Sequence, residues 1–166
     1  MKTSALRFLA IAAVAAATVL GGAAPNANAA ASATAGTPDS EIIHALAAQP
    51  GGHATGAHSA YWPALGMSME SSQAPSAQVA RGVVLGAVGN CASGSVCAYS
   101  GYMQTGAKLS WTTCGTHSTG TLGAVRSIAN ARSSGTLKAK NGSTIVATAA
   151  AGAWATVSGT VTNVSC

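Results

Sequence analysis

Thr136-Leu-Lys-Ala-Lys-Asn-Gly-Ser-Thr-Ile-Val-Ala-Thr-Ala149 decides the fold class. Two short runs flank Asn141-Gly142, and both of those residues tolerate positive φ, so the stretch predicts a β-hairpin. The same texture extends outward in both directions. Runs at 96–100, 108–112, 125–130, 153–157 and 161–164 are rich in Val, Ile, Thr, Tyr and Trp, with Gly, Ser and Asn between them. Closely spaced short strands without helical periodicity predict a mainly β fold, a sandwich or barrel.

Charge narrows the function classes. The acids that follow the leader are Asp39, Glu41 and Glu70, and no acid occurs from Cys91 to Cys166. Glycoside hydrolysis normally uses two carboxylates, and a Ser-His-Asp relay needs an acid to orient its base. A hard Ca²⁺ site also wants several carboxylate oxygens. The strand-rich half supplies none of these, so an enzyme is not expected. His117 with a nearby serine would lack an orienting acid. There is no Gly-x-Ser-x-Gly elbow and no phosphate-cradling glycine loop. His44, His53 and His58, with Met67 and Met69 beyond, could ligate a soft metal, but they read better as surface histidines and neighbouring strand residues. No metal or cofactor is expected.

The formal net charge of the chain is +5. Basic residues are not clustered with aromatics, so nucleic acid is not an expected partner. The charge instead suits attraction to an anionic cell-surface polymer. Trp111 is expected in the core, and so is Trp154, which could alternatively stand exposed in a partner-binding loop.

The chain carries four cysteines: Cys91, Cys97, Cys114 and Cys166. In an oxidising compartment an even number predicts two disulfides. Of three connectivities, Cys91–Cys97 with Cys114–Cys166 is preferred. The first closes a tight loop around Ser93-Gly94, and the second ties the last residue into the domain. The spacing does not suit a four-cysteine zinc site.

Ahead of the strands lies a different texture. Residues 38–40, Pro-Asp-Ser, open a short helix that Asp39 or Ser40 can cap, with Ile42, Ile43, Leu46 and Ala47 as its apolar face. Pro50-Gly51-Gly52 ends it. Residues 53–61 and 64–69 are read as two strands with Pro63 near the turn. The division is therefore a small helix and strand segment at 30–70, a linker at 71–84 and a β domain at 85–166. Residues 1–29 have the order of a cleavable signal peptide: Lys2 and Arg7, an apolar run at 8–20, then small residues ending in Ala27-Asn28-Ala29. The apolar run is too short to span a bilayer. The expected product is secreted and extracellular, with no membrane association after cleavage.

Cys91-Ala-Ser-Gly-Ser-Val-Cys97-Ala-Tyr99-Ser-Gly101 and Val125-Arg-Ser127-Ile-Ala-Asn130 resemble segments of a secreted actinobacterial peptidase-inhibitor family of βγ-crystallin-like fold. Tyr99 and Gly106 match that fold's mark of an aromatic, six residues and a glycine, and Ser127 matches its serine strand. The resemblance covers residues 90–166. It implies a Greek-key β-sandwich preceded by a short helix-containing segment, and an extracellular metalloproteinase as partner. Occupying a proteinase cleft needs a rigid exposed loop, for which 100–105 and 149–153 are the candidates. Gly123-Ala-Val-Arg126 ahead of Ser127 does not provide the fold's Ca²⁺ ligands. The family's disulfide-held reactive loop is also missing, because no cysteine lies between Cys114 and Cys166. A non-inhibitory structural or surface-binding module is the alternative.

Overall fold

The computed structural model describes residues 36–74 and 86–166. The signal-peptide reading at 1–29 and most of the linker, 75–84, lie outside the described residues. The described residues form one helix and eleven strands, arranged as two antiparallel sheets.

The helix α1, Ser40–Ala48, starts where the sequence places it. Asp39 is its N-cap, and the Ile42 amide donates to Asp39 Oδ1 at 3.0 Å. Its buried face differs from the expected one. Ile42 and Ala45 are buried and Leu46 partly so, whereas Ile43 is 53 % exposed and Ala47 faces out. Positions 42, 45 and 46 share the side of the helix turned to the sheet, and 43 and 47 lie around the axis from it.

Three strands follow: β1 (His53–Gly56), β2 (Ser59–Trp62) and β3 (Met67–Glu70). The expected single strand at 53–61 is instead a hairpin that reverses at Ala57-His58, with a register irregularity between Ala54 and Gly56. A one-turn 3-10 helix, Pro63–Leu65, joins β2 to β3. Then come β4 (Val96–Tyr99), β5 (Lys108–Trp111), β6 (Thr116–Ser118), β7 (Ser127–Asn130), β8 (Thr136–Asn141), β9 (Thr144–Ala150), β10 (Ala153–Thr156) and β11 (Asn163–Ser165). The β8–β9 hairpin turns where Asn141-Gly142 predicts it, with Gly142 at φ 60°. β6 falls outside the runs that the sequence marks as strands.

The larger sheet has the order β1-β2-β3-β5-β4-β7-β10, and the smaller β6-β11-β8-β9. β3 pairs with β5, Met67 opposite Trp111 and Met69 opposite Leu109, so strands on both sides of residues 75–85 belong to one sheet.

Register sorts the larger sheet into two faces. On the inner face lie Ala60, Met69, Leu109, Ala98 and Ile128, each opposite the next, and beside them Trp62, Met67, Trp111 and Val96. All are buried, and they share one apolar core with Leu137, Ala139, Ala149 and Val164 of the smaller sheet and with Ile42 of α1. Asn130 also points inward. Its Nδ2 donates to the carbonyls of Gly135 (3.2 Å) and Ala149 (3.4 Å), and its Oδ1 accepts from the Arg132 amide at 3.2 Å. A buried amide with three partners links the two sheets without an orphaned group.

Over the outer face at β4 and β7 lies a second, smaller cluster: Val88, Cys91, Cys97, Tyr99, Ala129 and Ala131. Residues 88–95 are fastened there by Gly94 N to Ala131 O (2.7 Å) and Ala131 N to Ser95 O (2.9 Å).

Candidate functional site

Four of the residues singled out from sequence are cysteines, and they form the two preferred bridges. Cys91–Cys97 has a Cα separation of 5.9 Å and both its residues are buried. Cys114–Cys166 spans 5.5 Å between Cα atoms, and both residues are exposed. It fastens the chain end beside the start of β6, where the Cys166 amide donates to Gly115 O at 3.3 Å. On a chain-entropy view the bridges contribute about 2 and about 4 kcal/mol respectively. Two disulfides fit an oxidising environment outside the cytoplasm. No described helix is long and apolar enough to cross a membrane.

Tyr99, Gly106 and Ser127 meet around the β4–β5 connection. Tyr99 and Ser127 are opposite each other in the β4–β7 ladder. The connection does not project as a simple hairpin. It folds back on itself, so that Ser100 N donates to Ala107 O (2.9 Å), Gly101 N to Thr105 O (2.9 Å) and Thr105 N to Tyr102 O (3.1 Å). Side chains close the same knot. Ser100 Oγ accepts from the Ala107 amide at 2.8 Å, and Thr105 Oγ1 donates to Tyr102 O at 2.6 Å. Ser127 reaches across from β7, donating to Gly101 O at 2.8 Å and accepting from the Gln104 amide at 2.9 Å. Gly106 has φ 75°, and a Cβ there would collide with Ser100 Oγ, so position 106 requires glycine on both counts.

Beneath the knot, Tyr99 is fully buried and its hydroxyl has no hydrogen-bond partner. Burial, with the nearby Glu70 carboxylate adding to it, pushes the phenol well above its ordinary value, so it stays neutral.

The knot presents a small convex knob. Tyr102 is 54 % and Met103 71 % exposed, and Met103 and Gln104 both hold left-handed backbone, φ 52° and 63°. Such φ values in non-glycine residues persist only where surrounding bonds over-determine them. The guanidinium of Arg126 stands 5.8 Å from the centroid of the Tyr102 ring. The turn packs against β7 and β10. Trp154 of β10 lies on the same outer face and is 41 % exposed, not in the core as expected. β10 is the last strand of the sheet. Trp111, by contrast, is buried in the core.

The second loop singled out, 149–153, is the short β9–β10 turn, with Ala150 and Gly152 exposed and its base anchored. Ala149 is buried, and the Gly152 amide donates to Asn130 O at 2.9 Å. The sequence marks the 100–105 stretch but singles out neither the exposed Met103 within it nor the half-buried Arg126 beside it, because neither side-chain type carries a local signature.

The remaining sequence candidates are dispersed. Met67 and Met69 are buried on the inner face, His53 lies on the outer face, and His58 Nδ1 is 2.9 Å from Asp39 Oδ2. Among the described residues no three His, Cys, Asp or Glu side chains are grouped to hold a metal. Ser71 donates to the same carboxylate of Asp39 and not to His58, so the trio is a structural junction and not a nucleophile with its base. His117 stacks on Trp111, ring centroids 5.1 Å apart, and its Nε2 lies 3.0 Å from Thr113 O. It lines a cleft of about 410 Å³ bordered also by Met67, Gln49 and Thr121.

Comparison of the sequence and fold with family models, curated proteins and solved structures finds no match.

Proposed function

We propose that this is an exported, inhibitor-like binding protein that engages an extracellular metalloproteinase through the β4–β5 knob, on a βγ-crystallin-like Greek-key scaffold. The observation that carries the reading is the pinned loop. Seven hydrogen bonds within it or from Ser127 hold Tyr102 and Met103 outward. A contact loop fixed before binding loses little freedom on association, and it resists cleavage because it cannot be drawn out into an extended strand. The left-handed Met103 makes it a plug and not a substrate mimic.

Support for the scaffold is local. β7 returns beside β4 after the chain visits the other sheet through β6, and its Ser127 secures the folded hairpin. Support for export comes from residues 1–29 together with the two disulfides. The absence of any carboxylate from 91 to 166 favours binding over catalysis.

The test is inhibition of a thermolysin-type enzyme by purified residues 30–166. Inhibition at or below about 10 μM, lost with Met103→Gly and Tyr102→Ala, is the expected result. No inhibition at that concentration removes the proposal. One observation favours a second reading, a non-inhibitory surface-binding module: no cysteine lies between Cys114 and Cys166 to hold a reactive loop in the second half of the domain.

A further inference from the structure

Among the described residues the second cluster covers the outer face of the larger sheet at β4 and β7, whereas on β1, β2, β3 and β5 the outward side chains, apart from the buried Lys108, are exposed or half-buried. Register places two rows of side chains on that open half. One row is His53, Tyr61, Ser68 and Ser110, and the other is Ser59, Glu70 and Lys108. Four adjacent strands make a platform about 14 Å wide.

Its chemistry is specific. Tyr61 is 39 % exposed, and its ring meets the exposed His53 ring edge to face at 6.1 Å. Ser68 Oγ and Ser110 Oγ are hydrogen-bonded to each other at 2.8 Å. One proton serves that bond, so the pair keeps one O–H donor and spare lone pairs facing out. Thr55 donates to Ser59 Oγ at 2.9 Å, which likewise leaves the Ser59 proton free. Glu70 is about half exposed and can accept hydrogen bonds. The cation of these rows, Lys108, is buried, and its Nζ is spent on Glu70 Oε1 (2.9 Å) and Asn90 O (3.1 Å).

A ring face beside a ladder of hydroxyls and one carboxylate matches a ligand with polar hydroxyls around an apolar ring. Sugar C–H groups stack on the electron-rich face of an aromatic ring, and sugar hydroxyls pair with serine and carboxylate oxygens. The lack of an exposed lysine or arginine in either row argues against an anionic polymer here, despite the positive net charge. We infer that the open half of this face is a binding platform for a neutral polysaccharide chain, with Tyr61 as the stacking ring and Ser68, Ser110, Ser59 and Glu70 as its hydrogen-bonding groups. The inference does not depend on the proteinase reading, since the knob lies over the other half of the sheet.

The experiment is sedimentation of residues 30–166 with insoluble chitin, cellulose and β-1,3-glucan at about 0.5 M NaCl, where charge attraction is screened within a few ångströms. Retention on at least one polymer is expected, competed by its soluble hexasaccharide. Tyr61→Ala should cut retention about tenfold with an unchanged circular dichroism spectrum, and Tyr61→Phe should keep it. Should Tyr61→Ala fail to fold, Ser110→Val decides, with a severalfold loss expected. No retention on any of the three polymers, retention that disappears with added salt, or retention unaltered in the folded variants would overturn the platform.

Discussion

Ser127 on β7 and Gly101 in the β4–β5 connection, 26 residues apart in sequence, are joined by a 2.8 Å hydrogen bond from the serine hydroxyl to the glycine carbonyl. The same oxygen accepts the Gln104 amide. One buried hydroxyl therefore fixes both ends of the exposed turn. Ser127→Ala should lower stability by about 1–2 kcal/mol, the cost of leaving two backbone groups unpaired. It should raise hydrogen exchange at Gln104 far more than at Leu109. Gly106→Ala, which adds a strained φ and a collision, should cost about 1–3 kcal/mol. Denaturant titration and amide exchange read both effects.

Asp39 joins α1, the β1–β2 turn and the end of β3 through Ile42, His58 and Ser71. Burial alone would raise its pKa. The hydrogen bonds from Ser71, His58 and Ile42, with the charge of His58, outweigh that and hold the carboxyl below its ordinary value. A carboxyl depressed in the folded state adds stability above its unfolded value of 3.8, and that contribution is lost as pH falls through the folded value. Asp39→Ala should therefore cost about 1–2 kcal/mol at pH 7 through the lost cap and its partners. The gap to the wild type should narrow as pH falls below 3.8. Urea titrations of both proteins across pH 2–7 test this.

The two bridges should differ in accessibility to reductant. Cys114 and Cys166 are exposed, whereas Cys91 and Cys97 are buried within the outer cluster. Mild reductant followed by alkylation should label Cys114 and Cys166 first, with labelling of Cys91 and Cys97 requiring denaturant. Peptide mass spectrometry identifies the order, and simultaneous labelling of all four would refute it.

Asn130→Ala would remove the side-chain partner of the buried Ala149 carbonyl and of the more exposed Gly135 carbonyl and Arg132 amide. A loss of about 2–3 kcal/mol is expected, visible as a lowered denaturation midpoint with little change in slope.

Much of this architecture was legible in local composition. The hairpin at Asn141-Gly142, the cap at Asp39 and the strands at 96–99, 108–111 and 153–156 follow from residue type and turn chemistry. What was not legible depends on partners distant in the chain. Thr116–Ser118 holds no apolar residue and becomes a strand only because β11 pairs with it, His117 opposite Val164. The turn at Ala57-His58 hides inside an apparently continuous run. Trp154 has the composition of a core residue, and only register turns it to the outer face. The left-handed Met103 is imposed by bonds from residues on either side, against its own preference. The platform at β1, β2, β3 and β5 exists only through register, because Tyr61 and Ser110 become neighbours across β3 alone.

The β3–β5 ladder carries one more implication. Both sulfur bridges close within residues 91–166, so the main chain through 75–85 is the sole covalent tie to the part that contributes Ile42, Trp62, Met67 and Met69 to the interior. The molecule is thus built as a natural split pair. A single nick in that stretch should leave two pieces zipped together by a strand ladder and a shared filling of aromatic and sulfur-containing side chains, coming apart only when denaturant melts the whole.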